Sequence, residues 1–343
     1  MPVRPLSLPT LVSLSLLSVL SGACSDPASN HGELGGAAGT SSAGSMSGGA
    51  PAQGGTGGGH SGGTASHAGS AGTTGGAGGS GGGQAPTEFF QGKLDGSPRF
   101  ACAIDASSKV LCWGNGSNWN PNDADDTNKQ ALSTGDAARC SLAQDGSVKC
   151  EGELGNPTGT FKQIALTNTN QGCGIAMDDS VQCWGELVGG WAPPTGKLES
   201  IAAGSAFVCG VLAGGTVQCW GMVPGSLPAP PAGVFAFVYA GQLTACAIAA
   251  DSKVSCWGSG ANRVPAGTSA RQLAVGNDFV CALSASGQVD CYGSDNGVVG
   301  KEPNDSFSAI AAGDTYACGF TTTHQLKCWG LMLAMPPADF VAP

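Results

Sequence analysis

The chain has 343 residues, a net charge of −10 and only 11% charged side chains, beside 58 glycines and 15 cysteines. That acidic balance speaks against nucleic acid as a partner, which needs a basic face. Three of the four histidines, His31, His60 and His67, lie in the first 67 residues and the fourth, His324, in a predicted hairpin turn, so no His-centred catalytic triad is expected.

Residues 1–23 read as an export signal: Arg4, an apolar run from Leu6 to Leu20 broken by Pro9, then the small residues Ser21, Gly22 and Ala23. The run is shorter than the ~20 apolar residues a membrane-spanning helix needs. Ser21-Gly22-Ala23-Cys24 resembles the bacterial lipobox, although Leu20 stands one place earlier than that pattern usually has it. Cys24 is the one cysteine outside the regular spacing described below, and the resemblance implies that it carries a lipid anchor. The expected location is the bacterial outer membrane or cell surface. Residues 24–86 are almost entirely Gly, Ala, Ser and Thr, with little to bury and no periodicity, so a disordered tether is expected. A Gly-rich coil of that length has an end-to-end distance of roughly 40–45 Å.

From residue 87 to 343 a repeat takes over. Cysteines stand ten apart seven times: Cys102/Cys112, Cys140/Cys150, Cys173/Cys183, Cys209/Cys219, Cys246/Cys256, Cys281/Cys291 and Cys318/Cys328. First cysteines recur every 33 to 38 residues, a period that marks stacked repeat units. Within a unit such as Cys140 to Cys150, Asp145-Gly146 fits a three-residue hairpin loop with its glycine at positive φ. This register sets the two cysteines opposite each other at a non-hydrogen-bonded pair, where Cα atoms are ~4.5 Å apart. That separation suits a disulfide, so one cross-strand disulfide per unit is expected. Aliphatics two places inside each cysteine, such as Leu142 and Val148, share its strand face.

Glycine always follows the second cysteine by two places. Between them stand Trp113, Trp184, Trp220, Trp257 and Trp329, with Tyr292 and Glu151 as the exceptions. This fixed place assigns the tryptophans to packing. Upstream, segments such as Ile201-Ala202-Ala203-Gly204 predict a third strand turning sharply into the hairpin. Proline-rich stretches such as 227–231 give a weak signal for a fourth, confined to an edge. Seven such units with no helical period predict an all-β, seven-bladed β-propeller. One blade could not support a core alone, and a disulfide in each contributes roughly 3 kcal/mol by chain entropy.

The repeated glycine, the hairpin from Val280 to Val289 and the following Trp-Gly resemble the regulator of chromosome condensation repeats. The stretch from Tyr292 to Gly300, with Asp295 and Asn296, is similar to that family's loop after Trp-Gly, one residue shorter. The resemblance implies a seven-bladed propeller. Its members include exchange factors for a small GTPase, ultraviolet sensors and secreted β-lactamase inhibitors. Paired cysteines and an export signal depart from the family pattern and suit an oxidising, extracellular setting.

Antiparallel alternation places the hairpin turns on one rim. The Trp-Gly loops and glycine turns share the other, with the longer segments 115–129, 185–198, 221–234 and 293–307. Binding is expected on this second rim. Trp119, Asn120 and Trp191 stand off the structural register there, with Asp295 and Asn296, although local packing under a long loop is the other reading of the two tryptophans. Asp123, Asp125 and Asp126 offer oxygen ligands of the kind Ca²⁺ takes, but a solvated turn-rich loop is the preferred reading, and no cofactor is expected. The expected function is non-enzymatic binding of a protein or glycan at the cell envelope. The alternatives are a hydrolase or lyase using carboxylates near the central channel and, by resemblance alone, guanine-nucleotide exchange.

Overall fold

The computed structural model describes residues 92–115, 127–187, 191–223, 225, 227, 229–294, 297–332, 334–338 and 340–343, all within a unit spanning Gly76–Pro343. The unit is a seven-bladed β-propeller, each blade a three-stranded antiparallel sheet whose strands follow one another in sequence. Blade 1 comprises β1 (Leu94–Gly96), β2 (Phe100–Ile104) and β3 (Val110–Gly114); blade 2, β4 (Lys129–Thr134), β5 (Ala138–Ala143) and β6 (Val148–Gly152). Blade 3 has β7 (Phe161–Leu166), β8 (Gln171–Ala176) and β9 (Val181–Gly185); blade 4, β10 (Leu198–Ala203), β11 (Phe207–Leu212) and β12 (Val217–Gly221). Blade 5 has β13 (Phe235–Ala240), β14 (Thr244–Ala249) and β15 (Val254–Gly258); blade 6, β16 (Gln272–Val275), β17 (Phe279–Leu283) and β18 (Val289–Gly293). Blade 7 has β19 (Phe307–Ala312), β20 (Tyr316–Thr321) and β21 (Leu326–Gly330). The first strands ring the axis: β1 lies against β4, then β7, β10, β13, β16 and β19 follow, and β19 returns against β1. No fourth strand forms among the described residues; prolines deny the linkers the donors a ladder requires.

Every cysteine pair is bonded, each at a Cα–Cα distance of 4.0 Å: Cys102–Cys112, Cys140–Cys150, Cys173–Cys183, Cys209–Cys219, Cys246–Cys256, Cys281–Cys291 and Cys318–Cys328. The register Cys140↔Cys150 and Leu142↔Val148 recurs in all blades. Ala143 N–H donates to Ser147 C=O at 2.9 Å, which leaves the cysteines at a non-hydrogen-bonded pair. The two halves of a disulfide are not equally buried, a difference the shared strand face did not predict. The first cysteine, on the middle strand, is buried in every blade. Cys150, Cys183, Cys219, Cys256 and Cys328, on outer strands, are only half-buried, whereas Cys112 and Cys291, on the outer strands of blades 1 and 6, are buried. Each hairpin loop ends on a residue at positive φ: Ser108, Gly146, Asp179, Gly215, Ser252, Gly287 and His324. Seven disulfides suit an oxidising setting. No helix among the described residues is long and apolar enough to cross a membrane.

The core is divided into clusters at the joints between blades. Trp220 joins Cys173 and Ile175 of blade 3, and Trp329 joins Cys281, Leu283 and Val289 of blade 6. Each tryptophan thus lies on the disulfide-bearing face of the preceding blade. In the same way Cys246 and Cys256 of blade 5 pack with Val280, Ala282 and Tyr292 of blade 6. The residue opposite the aromatic is Gly, Ala or Val, and the approach is closest at Gly172, where a Cβ would come within 2.4 Å of the Trp184 ring. The glycine after each tryptophan has its own reason. Gly258 has φ +103°, and a Cβ there would lie 2.2 Å from Leu243 C=O. Linker side chains then fill the space beside these glycines: Leu154 beside Gly185, Trp191 beside Gly221, Leu227 beside Gly258 and Val298 beside Gly330.

Blade 2 departs from this scheme. Arg139 faces Glu151 where other blades pair a small residue with Trp or Tyr. Arg139 is fully buried, and its Nη2 donates to Glu151 Oε2 at 2.9 Å. A charge pair therefore replaces the aromatic on the joint with blade 1.

The ring closes without a shared strand. Tyr316 O–H donates to Ser97 C=O at 3.0 Å and to Phe100 C=O at 2.8 Å. The C-terminal tail crosses the same joint, with Phe340 stacked on Phe320 at 5.9 Å and edge-on to Trp113 at 6.5 Å. Ala106 N–H donates to Val341 C=O at 3.0 Å.

Candidate functional site at the channel mouth

Neighbouring first strands share no continuous ladder, so their backbone groups need other partners. Side chains supply them blade by blade. Asp95 accepts from Thr134 N–H at 2.7 Å, Ser133 Oγ from Leu166 N–H at 3.0 Å, and Gln163 Oε1 from Ile201 N–H at 3.2 Å. Ser200 Oγ accepts from Val238 N–H at 3.2 Å, and Gln272 bonds both Ile310 N–H and Ile310 C=O, at 3.1 and 2.9 Å. These latches hold the channel wall together.

Each first strand ends in a sharp turn on the tryptophan–glycine rim. The residue after the turn position is polar in every blade: Ser97, Asp136, Asn168, Ser205, Gln242, Asn277 and Asp314. Of these, Asn168, Gln242 and Asp314 line the channel mouth. Asn168 N–H donates to Ser205 C=O at 2.9 Å, and Asn277 N–H to Asp314 C=O at 3.3 Å. The Gln242 amide reaches past blade 6 to donate to Asp314 Oδ2. Arg99 Nε pairs with Asp136 Oδ1 at 2.9 Å.

Two channel carboxyls are perturbed. Burial pushes Asp95 up to about 6, against the opposing hydrogen bonds from Thr134 and Gly96. Burial likewise pushes Asp314 up to about 6; the Gln242 amide opposes the shift and the negative charge of Asp136 adds to it. Burial also holds the Tyr316 hydroxyl well above its ordinary value, with the nearby Asp95 and Asp314 acting in the same direction. Below the mouth the channel wall is mostly Ala, Val, Ile and Gly, with cavities of about 110 and 120 Å³. Organic ligands usually occupy about 300–1,000 Å³. The mouth thus accommodates waters or the tip of a side chain.

The rim itself is acidic. Glu153, Glu186 and Asp278 join Asp136 and Asp314, against Arg99 and Arg263. Lysines gather at the other rim, as Lys93, Lys129, Lys162 and Lys197 near the starts of first strands. Among the described residues no group of His, Cys, Asp and Glu is arranged to hold a metal.

Of the residues singled out in the sequence, Trp191 alone lies in the described region with the cysteine pairs. It is 4% exposed and packs with Ile175, Leu198, Ile201 and Trp220, so it fills the blade 3–4 joint and presents no ring on the rim. The fourteen paired cysteines, from Cys102 to Cys328 and the half-buried Cys256 among them, belong to the frame and lie away from the channel mouth. Cys24, Trp119, Asn120, Asp123, Asp125, Asp126, Asp295 and Asn296 lie outside the described residues. The polar mouth went unnoticed in the sequence, although its signal was available: a polar side chain recurs one place after each turn position.

Comparison with protein-family models and with curated proteins gives no match. Solved structures do match. The ectodomain of the Physcomitrella patens receptor kinase CR4 is 25% identical, with a TM-score of 0.60, over 71% of this chain and 74% of its own. The ectodomain of the Arabidopsis thaliana receptor kinase ACR4 is 25% identical over 72% and 82%, with a TM-score of 0.46. Prp20p of Saccharomyces cerevisiae is 16% identical over 73% and 74%, with a TM-score of 0.43.

Proposed function

We propose that this protein is an exported, lipid-anchored propeller that acts without catalysis, holding a rigid rim away from the bacterial envelope to bind a protein or glycan. The carrying observation is the contrast between frame and face. Seven disulfide-clamped blades fix a rim whose residues vary, around a channel with narrow cavities of about 110 and 120 Å³, while a cavity of about 410 Å³ lies apart from the channel beside Lys162, Asp179, Lys197 and Glu199. The similarity to a receptor-kinase ectodomain supports a binding role outside the cell. Cys24 serves as the lipid attachment point and 24–86 as the tether.

Affinity capture from the native envelope, with the lipid-free protein as bait, tests this reading, followed by a glycan array. Partners retained by the parent should be lost when Asp136, Gln242 and Met222 are replaced by Ala together. Unchanged binding by that variant counts against the rim.

A second reading has one observation in its favour. Asp95 and Asp314 share the channel mouth, and both are raised to about 6, a range suited to proton transfer near neutral pH. A hydrolase or lyase would then use them as acid and base. Turnover by the parent that disappears in both Asp95→Asn and Asp314→Asn supports it; turnover that survives Asp314→Asn removes it.

A further inference from the structure

The cavity of about 410 Å³ lies on the hairpin-turn rim, between the turns of blades 3 and 4, and falls within the range of about 300–1,000 Å³ that organic ligands occupy. The blade 4 turn beside it is bare. Five places after the first cysteine the other turns carry Ser107, Asp145, Asp178, Asp251, Ser286 or Thr323, whereas blade 4 has Gly214, where a Cβ would meet nothing within 4 Å. Backbone bonds fix the frame: Leu198 N–H donates to Asp179 C=O at 3.0 Å, and Ala213 N–H to Lys197 C=O at 2.8 Å. Ile175 and Leu198, both buried, give the cavity an apolar side.

Two cations are held together at its wall. Lys162 Nζ donates to Asp179 Oδ1, and Lys197 Nζ to Asp179 Oδ2 at 3.2 Å. These bonds keep the Asp179 carboxyl below its ordinary value, so it stays charged and keeps the two ammonium groups side by side. An ammonium has three donors and Asp179 takes one from each, which leaves donors for a second anion. Glu199 lines the same cavity, exposed and without an ion pair among the described residues. Gln163, held by its bond from Ile201 N–H, adds an amide.

We propose that this cavity binds a sugar acid, its carboxylate on Lys162 and Lys197, its hydroxyls on Glu199 and Gln163, and the C–H face of its ring against Ile175, Leu198 and Ala213. Other ligand classes match the lining less well. A hydrocarbon acid leaves Glu199 and Gln163 without partners, and a neutral sugar leaves the lysine pair unused. Phosphate is far smaller than the cavity. An α-amino acid carries its ammonium next to its carboxylate, and so brings a third cation against the two lysines. The site lies on the rim opposite the acidic one and goes beyond the binding reading above.

Calorimetry on the full chain with its disulfides intact tests the proposal, with galacturonic acid and its trimer as probes and galactose, glutamate and inorganic phosphate as comparisons. The uronates should bind at least about tenfold more tightly than any comparison, and less tightly as salt is raised. The Lys162→Gln/Lys197→Gln variant should bind them at least about tenfold more weakly, and Ala213→Trp, which fills the cavity and leaves its charges in place, should do the same. Lys253→Gln, on the blade 5 turn, should bind as the parent does. Both probes should raise the unfolding midpoint of the parent and leave that of Ala213→Trp where it was. A trimer that binds more tightly than the monomer assigns the site to an acidic polysaccharide, and equal affinity assigns it to a free sugar acid. The proposal is overturned by no uronate binding up to about 10 mM, by glutamate or phosphate binding as tightly, or by unchanged affinity in either cavity variant. The variant with Asp136, Gln242 and Met222 replaced by Ala should keep its uronate affinity, so failure of this cavity and failure of the acidic rim are read separately.

Discussion

The exception in blade 2 makes the sharpest prediction. Arg139 is fully buried beside Glu151 Oε2 at 2.9 Å, on the joint where other blades place an aromatic against a small residue. Replacing Glu151 with Ala takes the carboxylate from a guanidinium that cannot reach water. Glu151 is partly exposed and also pairs with Lys149 Nζ at 3.2 Å, so its removal costs about 2–3 kcal/mol, below the loss for a fully buried pair. For a unit of this size that lowers Tm by roughly 4–12 °C, at about 2–4 °C per kcal/mol. Exchanging both partners should behave differently. Arg139→Ala with Glu151→Trp recreates the pairing of Ala101 with Trp113, Ala245 with Trp257 and Ala317 with Trp329. Apolar replacement of a buried ion pair is commonly neutral or stabilising by about 1–4 kcal/mol. Thermal and guanidinium unfolding under non-reducing conditions measure both variants. If Glu151→Ala lies within about 1 kcal/mol of the parent, or the double exchange is as unstable as the single one, the reasoning about this joint fails.

Further outcomes follow from the same geometry. Asp95 keeps its proton to about pH 6 when folded, against an ordinary value of 3.8, so the folded chain binds more protons between those values. Its contribution to stability therefore falls by about 3 kcal/mol as pH rises through that window and then levels off; Asp314 acts in the same direction. Unfolding midpoints between pH 4 and 7 check this, and Asp95→Asn should flatten the slope. Gly258→Ala forces a side chain onto φ +103° and against Leu243 C=O, and should cost about 2–3 kcal/mol, read as a lower denaturant midpoint. Phe340→Ala removes the ring between Phe320 and Trp113 and should cost about 2 kcal/mol, with earlier protease cleavage at the blade 7–1 joint.

Much of the fold was legible because the cysteine pair, the aliphatic pair and the hairpin loop all obey one register, and a single slip would have turned every one of them to the wrong face. The half-exposure of Cys256 and its counterparts was not, because it varies from blade to blade, with Cys112 and Cys291 buried, while the cysteine spacing is the same in every unit. The tryptophan–glycine step was readable as packing. Trp191 was less so. Its distance from the repeat left an exposed ring and local packing under a long loop both open, and packing is what the structure shows; the linkers vary in length while delivering an apolar side chain to the same gap, so spacing alone could not place it beside Gly221. Glu151 stands in the sequence only as an exception to the tryptophan pattern; its partner Arg139 lies on the neighbouring strand and becomes visible only with the register. The polar channel mouth hides for another reason: Ser, Asn and Asp are ordinary turn residues, and only closure of the propeller brings Asn168, Gln242 and Asp314 to one opening.

The claim on which the rest depends is that each pair of cysteines ten apart clamps a hairpin within its own blade. Peptide mapping of the purified protein without reduction tests it directly. The predicted result is seven linkages, from Cys102–Cys112 through Cys318–Cys328, with no free thiol among these cysteines. Linkages between different blades, or a majority of reduced cysteines, would contradict it.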